Sequence, residues 1–392
     1  MTLRRATAEL GINGTRILFA LILVSVFSLS ASADHKGIRP YWTYEEFSEL
    51  HPHKQTHSNA FTSSVRSAGR IYQGQSNEPV RIAIIYPGKQ TSDYWRRSVS
   101  SFEARLAESR VPYEIRTYFS KPGTELKLQE RQIAKALTYD PNYLIFTLDA
   151  LKHRVIIERL TMRQQPNVIL QNITTPLKQW GTAQPFMYVG FDHAAGTEIL
   201  ADEYLKKYAG KGRFAIFYGS RGYVSQMRGG TFKARMLNQP EIQLVAEYYT
   251  GFNRENSRKA ARQLLEKHQD LDFIFSSSTD ITLGILDAIK ESGKQGRVVT
   301  NGWGGGSNEL QALTQGELDM TVMRINDDNG AAMAEAIQWQ LRGKIVPTVY
   351  SGDMLLVTNK MTTVEIQNLT KRAFRYSDAW TSDPNQILRS NN

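Results

Sequence analysis

Residues 80–97 read VRIAIIYPGKQTSDYWRR, and the change of character inside them decides the fold. VRIAIIY is a near-continuous apolar run carrying Ile82, Ile84 and Ile85, the pattern of a strand covered on both faces. Gln90, Thr91, Ser92 and Asp93 then set hydrogen-bonding groups beside the large ring of Trp95. The segment that follows places Trp95, Val99, Phe102 and Leu106 on one helical stripe. Strand, polar loop and helix make a βα unit, and in open α/β sheets ligands sit outside the carboxyl ends of the strands.

The unit repeats. YEIRTYF (113–119), NYLIFTL (142–148), NVILQ (167–171) and FMYVG (186–190) are further apolar strands, with amphipathic helical segments at 126–137 and 150–160 between them. A second series runs RFAIFYG (213–219), QLVAEYYT (243–250), DFIFSSS (272–278), RVVTNG (297–302) and LDMTVMR (318–324). Helices are predicted at 193–208, 223–237, 255–268, 280–292 and 308–315. This predicts an α/β fold of two doubly wound parallel-sheet lobes joined by a hinge. A helix at 328–342 and the two short strands of PTVYSGDMLLVT return the chain. Lobe 1 is expected to comprise 79–190 and 325–352. Lobe 2 is expected to comprise 191–324 and 353–392, the tail included.

Ahead of the first strand, 34–78 reads as a polar, irregular extension with few periodic apolar positions, tacked on by Trp42, Tyr44 and Phe47. Its HPHKQTH stretch fits no metal-ligand spacing and is expected to be a solvated loop. Residues 1–33 read as a secretory signal. Arg4, Arg5 and Arg16 precede the apolar ILFALILVSVF at 17–27, and Ala31-Ser32-Ala33 follows as a cleavage site. The apolar run is shorter than the ~20 residues a spanning helix needs, so an exported, periplasmic protein is expected.

The 392 residues carry a net charge of +10, spread along the chain instead of gathered on one element. With no nucleic-acid-binding signature, that charge favours small anions over DNA or RNA. Cysteine is absent, which excludes thiol nucleophiles and cysteine-ligated metals. His153, His193 and His268 are the only histidines of the folded body, and no serine partner is evident for them. The G-x-S-x-G elbow of a hydrolase is missing, since GYVSQ and GGGSN both lack the closing glycine.

Strand ends therefore supply the candidates: QTSDYW, TLDA, QNITT, GSRGYVSQMR, SSSTDIT, NGWGGGS and MRINDD. Trp95 either packs on the sheet or walls a site. Asn172 either closes a turn or binds a ligand. Arg228 is followed by two glycines within a helix, each costing ~1 kcal/mol against alanine, which implies a close approach there. Arg324 either pairs with the acids at 327–328 or faces the cleft. NGWGGGS lacks both the P-loop lysine and the last glycine of G-x-G-x-x-G, so its glycines are read as letting Trp303 face a pocket. Asp280 is a possible helix N-cap, with Thr279 beside it aimed at the cleft.

The export signal, the two βα series and the closing VYSGDMLLVT together resemble the type I periplasmic binding proteins, the ribose- and galactose-binding class. Within that class PGKQTSDYW, LQNITT, SQMRGGTFKAR, SSSTDITLG, TNGWGGGSNEL and TVMRINDD resemble the LuxP-type receptors for autoinducer-2 in bacterial quorum sensing. The resemblance implies a furanosyl borate diester bound between the lobes. Gln90, Ser92, Trp95 and Asn172 would contact it from lobe 1, Arg228, Thr279 and Trp303 from lobe 2, and Arg324 near the crossover. It implies as partner the periplasmic domain of a LuxQ-like membrane sensor kinase, with no catalysis and no cofactor beyond the boron of the ligand itself. The competing expectation is a ribose-like sugar-binding protein of an uptake transporter.

Overall fold

The computed structural model describes residues 40–51, 55–74, 78–148, 153–163 and 165–378. The signal segment at 1–33, His53, the end of TLDA and the tail beyond 378 lie outside them.

Each lobe is built on one sheet. The first contains β1 (Val80–Tyr86), β2 (Tyr113–Phe119), β3 (Tyr143–Thr147), β4 (Asn167–Gln171) and β5 (Met187–Phe191). The second contains β6 (Lys211–Tyr218), β7 (Glu241–Tyr249), β8 (Phe273–Ser276), β9 (Val299–Gly304) and β10 (Met320–Arg324). Two late strands complete them: β11 (Val349–Gly352) joins the first and β12 (Met354–Thr358) the second, with only Asp353 between them. The orders are β11-β5-β4-β3-β1-β2 and β12-β10-β9-β8-β6-β7, all parallel except β12 against β10. The chain thus passes between sheets three times, after β5, after β10 and at Asp353.

The helices are α1 (Tyr44–Leu50), α2 (Gln55–Arg66), α3 (Tyr94–Glu108), α4 (Leu126–Leu137), α5 (His153–Met162), α6 (His193–Tyr208), α7 (Tyr223–Ser225), α8 (Thr231–Leu237), α9 (Arg254–Lys267), α10 (Thr279–Glu291), α11 (Ser307–Thr314), α12 (Asp327–Leu341) and α13 (Thr363–Ala373). Strand alternation shows how both faces of each sheet are covered. On β1, Ile82, Ile84 and Tyr86 join a core with Phe102 of α3 and Ile337 of α12, while Ala83 and Ile85 join another with Ile133 and Ile157. On β6, Phe214 and Ile216 pack with Tyr204 and Phe232, and Ala215 and Phe217 with Leu264 and Ile285. A fully buried side chain of this kind contributes ~1.5–3 kcal/mol.

The extension departs from expectation. Residues 44–66 hold two helices, α1 and α2, and Phe61 and Val65 of α2 enter the core of the first lobe. Thr43 and Glu46 form a reciprocal capping box that starts α1, at 2.8 and 3.0 Å. Among the described residues no group of three or more His, Asp or Glu could hold a metal. No helix there is long and apolar enough to cross a membrane.

Candidate functional site

Gln90, Ser92, Trp95, Asn172, Arg228, Thr279, Trp303 and Arg324 all line one cavity of about 60 Å³ between the two sheets. Residues separated by more than two hundred positions converge there because each lies at the end of a strand of one sheet or the other, or in the segment that follows it. Tyr94, Ser278, Asp280 and Phe252 also line it and were not singled out as ligand contacts from sequence.

The two arginines dominate its chemistry. Arg228 is 4% exposed and Arg324 5%, and neither forms an ion pair with a carboxylate among the described residues. The acids that follow Arg324 in sequence are engaged elsewhere: Asp328 pairs with Arg375 at 2.9 Å, and Asp327 accepts from the amides of Tyr376 and Ser377. Arg228 instead donates through Nη1 to the Ser277 carbonyl at 2.8 Å, with its guanidinium carbon 3.5 Å from the Trp303 ring centre. Arg324 lies 3.8 Å over the Tyr94 ring. Burial pushes both guanidiniums below their usual range, and for Arg228 the charge of Arg324 adds to the effect. The Nε atoms of both, with Asn172 Oδ1, Ser277 Oγ and Ser278 Oγ, are buried without hydrogen-bond partners. Orphaned donors and acceptors at such density are costly unless a polar solute satisfies them.

Local structure explains how the arginines are held. The helix expected at 223–237 is interrupted: Gln226–Gly230 form a π-helical turn with Arg228 at its centre, a distortion frequent at functional sites. A Cβ on Gly229 would lie 2.2 Å from the Tyr218 ring, whose hydroxyl is tied to Glu247 at 2.7 Å. Gly230 meets no comparable obstacle, so only the first of the pair is explained by close approach. Gly229→Ala is expected to cost about 1–3 kcal/mol, read by urea unfolding, because the added methyl overfills the gap. Gly304 has φ +134°, and a Cβ there would lie 2.5 Å from Nη2 of Arg324, so glycine provides both the backbone turn and the bed for the guanidinium.

Trp303 lines the cavity and also carries Arg228 on one ring face, with its Nε1 donating to Thr197 Oγ1 at 3.3 Å. Trp95 packs tilted against Tyr86 and edge-on to Tyr94, ring centres 4.6 and 4.7 Å away, and walls the cavity from the first lobe. Asn172 turns the chain at φ +68° and also lines the cavity.

His193 begins α6, at the first passage between sheets. Its Nε2 donates to the Asn172 carbonyl at 3.0 Å, which leaves Nδ1 as the acceptor facing Arg228 Nη2 at 3.4 Å. Burial and the Arg228 charge hold the imidazole well below its usual range. A neutral histidine therefore orients Arg228 and links it to the strand end of the opposite lobe.

Residues 82–345 match the periplasmic binding protein domain. The chain belongs to the periplasmic binding protein family. Members of this family are non-enzymatic ligand binders, in keeping with the missing elbow motif. Among curated periplasmic binding proteins, the ribose import binding protein RbsB of Escherichia coli K12 is 26% identical over 174 residues, 44% of this chain and 58% of that one. Its Bacillus subtilis counterpart is 28% identical over 173 residues, 44% and 55% respectively. The match thus spans little more than half the length of these relatives. An ABC transporter solute binding protein from Agrobacterium vitis, solved with D-fucose, superposes with a TM-score of 0.67 at 18% identity, covering 74% of this chain and 99% of that one. The fructose binding periplasmic domain of a hybrid two-component system superposes at 0.65 and 17% identity, covering 79% and 98%. At such identities the likeness is one of fold.

Proposed function

We propose that this periplasmic binding protein is the periplasmic receptor for autoinducer-2 as its furanosyl borate diester, and that a LuxQ-like membrane sensor kinase reads its occupancy in quorum sensing. The observation that carries this reading is the pair of buried guanidiniums with no carboxylate partner. A tetrahedral borate bridging two diols is an anion with no proton to lose, and two planar, permanently charged forks suit its oxygens. A neutral sugar would leave two buried cations uncompensated, a severe cost. Gln90, Ser92, Asn172 and Thr279 are the groups assigned to the ring oxygens.

Contacts from both lobes favour the closed arrangement, so binding shifts a hinge equilibrium. Moving it from 1:99 to 99:1 takes ~5.5 kcal/mol of differential affinity. Two charge-assisted contacts and several buried hydrogen bonds are of that order.

A second reading is a ribose-like sugar-binding protein of an uptake transporter. The curated relatives, ribose and D-allose binding proteins, support it more directly than they support a signal receptor. Sensory use of the fold has support too, in the fructose binding domain of a two-component system.

Melting curves with three additions separate the readings: autoinducer-2 with borate, autoinducer-2 in boron-depleted buffer, and ribose. Stabilisation of ~2.7 kcal/mol is expected at a hundred times Kd, and only with borate present. Equal shifts with and without boron would remove the borate assignment, and a shift with ribose alone would establish the sugar reading.

A further inference from the structure

We propose that Asp280 and Asp93 form a reciprocal pair of latches between the lobes, which set how long the cavity stays shut whatever solute it holds. Each carboxylate leaves its own lobe and takes main-chain N–H groups on the other. Asp280, in the first turn of α10, is 5% exposed; Oδ1 accepts from the Thr91 amide at 2.8 Å and Oδ2 from the Ser92 amide at 3.0 Å. Asp93, just before α3, accepts through Oδ2 from the Ser307 amide at 3.3 Å and the Ser307 hydroxyl at 2.8 Å, at the start of α11. The two crossings run in opposite directions across the cleft.

Neither side chain caps its own helix. Ser278 holds the N-cap position of α10, and Asp93, at that position of α3, makes no side-chain cap bond. Each is nonetheless fixed for its task. Arg97, 1% exposed, donates Nε to Asp93 Oδ2 at 2.7 Å and Nη2 to Ser307 Oγ at 2.9 Å, so it braces both sides of that crossing. Room for Asp93 comes from Gly306, where a Cβ would lie 2.5 Å from Oδ1.

The Asp280 crossing also bears on the cavity. The loop it holds presents Gln90 and Ser92. Within the first lobe, Arg96 grips that loop by its carbonyls, Nη1 to Gln90 at 3.0 Å and Nη2 to Thr91 at 3.3 Å. The amides of Lys89 and Gln90 bond the Ser120 and Gly88 carbonyls within that lobe, and those of Thr91 and Ser92 are taken by Asp280 from the opposite one. Closure therefore completes the loop that faces the solute, which makes Asp280 a positioning residue as well as a latch. Hydrogen bonds to an ionised acceptor are about twice as strong as neutral ones, and two on one carboxylate suffice to slow opening.

Hydrogen–deuterium exchange on the full chain, without added solute, compares wild type, Asp280→Asn and Gly306→Ala. In Asp280→Asn the peptide spanning 88–94 is expected to exchange at least about tenfold faster, while β6 is unchanged. In Gly306→Ala the added methyl obstructs Asp93 at the lobe surface and is expected to deprotect the Ser307 amide. Equal protection in wild type and Asp280→Asn, or no protection in wild type, overturns the proposal. This readout needs no ligand and stands or falls apart from the solute assignment. With autoinducer-2 and borate, stopped-flow dissociation is expected to quicken by a similar factor in both variants, with association unchanged in Gly306→Ala. Lost protection with an unchanged dissociation rate would refute the retention role.

Discussion

Arg228→Ala and Arg324→Ala are each expected to weaken binding of autoinducer-2 with borate by about a hundredfold or more, while the unliganded protein stays as stable as wild type. Truncating one partner of a buried, hydrogen-bonded charge pair costs ~2–5 kcal/mol, and each 1.4 kcal/mol is about tenfold in Kd. The expectation for stability has the opposite origin. Both guanidiniums are desolvated with no carboxylate in ion-pair contact, Glu309 and, for Arg324, Asp93 acting only from a distance, so removal relieves a penalty that burial imposes. Set against that relief are the stacking contacts on Trp303 and Tyr94, worth up to about 2 kcal/mol each. The two roughly cancel. Titration calorimetry and thermal melts measure the two quantities on the same samples. Normal binding by both variants would remove the anion assignment; collapse of either unliganded variant would make the arginine a structural element instead. Lysine at 228 keeps the charge but loses the stacked, planar fork, and should fall between.

Glu309→Ala is expected to destabilise the second lobe by about 3–5 kcal/mol. The Glu309 carboxylate is fully buried and accepts three hydrogen bonds: from the Trp303 amide at 3.1 Å, the Gly305 amide at 2.8 Å and the Thr321 hydroxyl at 2.6 Å. Alanine leaves two buried amides orphaned at the segment that carries Trp303 and, through it, Arg228. Stability and affinity should therefore fall together, unlike the arginine variants. Urea unfolding gives the first and calorimetry the second. Wild-type stability in Glu309→Ala would mean that the three bonds are replaced at no cost, contrary to this account.

Much of the architecture was legible because parallel strands covered on both faces must be apolar almost throughout. The bounds of β1, β2 and β4 coincide with the apolar runs read from sequence, and the segments chosen by the strand-end rule contain the eight residues that the resemblance implied and that share one cavity. What escaped notice depended on partners far away in sequence. Asp280 looked like a helix cap because its true partners, the amides of Thr91 and Ser92, lie almost two hundred residues earlier. Tyr94 was passed over beside Trp95, though it is the ring that Arg324 stacks on. Helix α2 was hidden because Phe61 and Val65 are the only large apolar side chains it buries, too few to show a period. Helices α1 and α13 did leave a local signal: Thr43 with Glu46, and Thr362 with Glu365, both form capping boxes, and their three-residue spacing is readable without a structure.

The adjacency of β11 and β12 around Asp353 constrains how this molecule is made. A chain emerging amino end first has ten of the twelve described strands by residue 324, yet both sheets still lack an edge. Until about three hundred and fifty residues are free, β5 and β10 present unpaired ladders to any neighbouring polypeptide. Each half thus waits on the same short stretch of late-arriving chain, so that truncation before Val349 should produce two sticky half-products and not one good lobe beside one bad one.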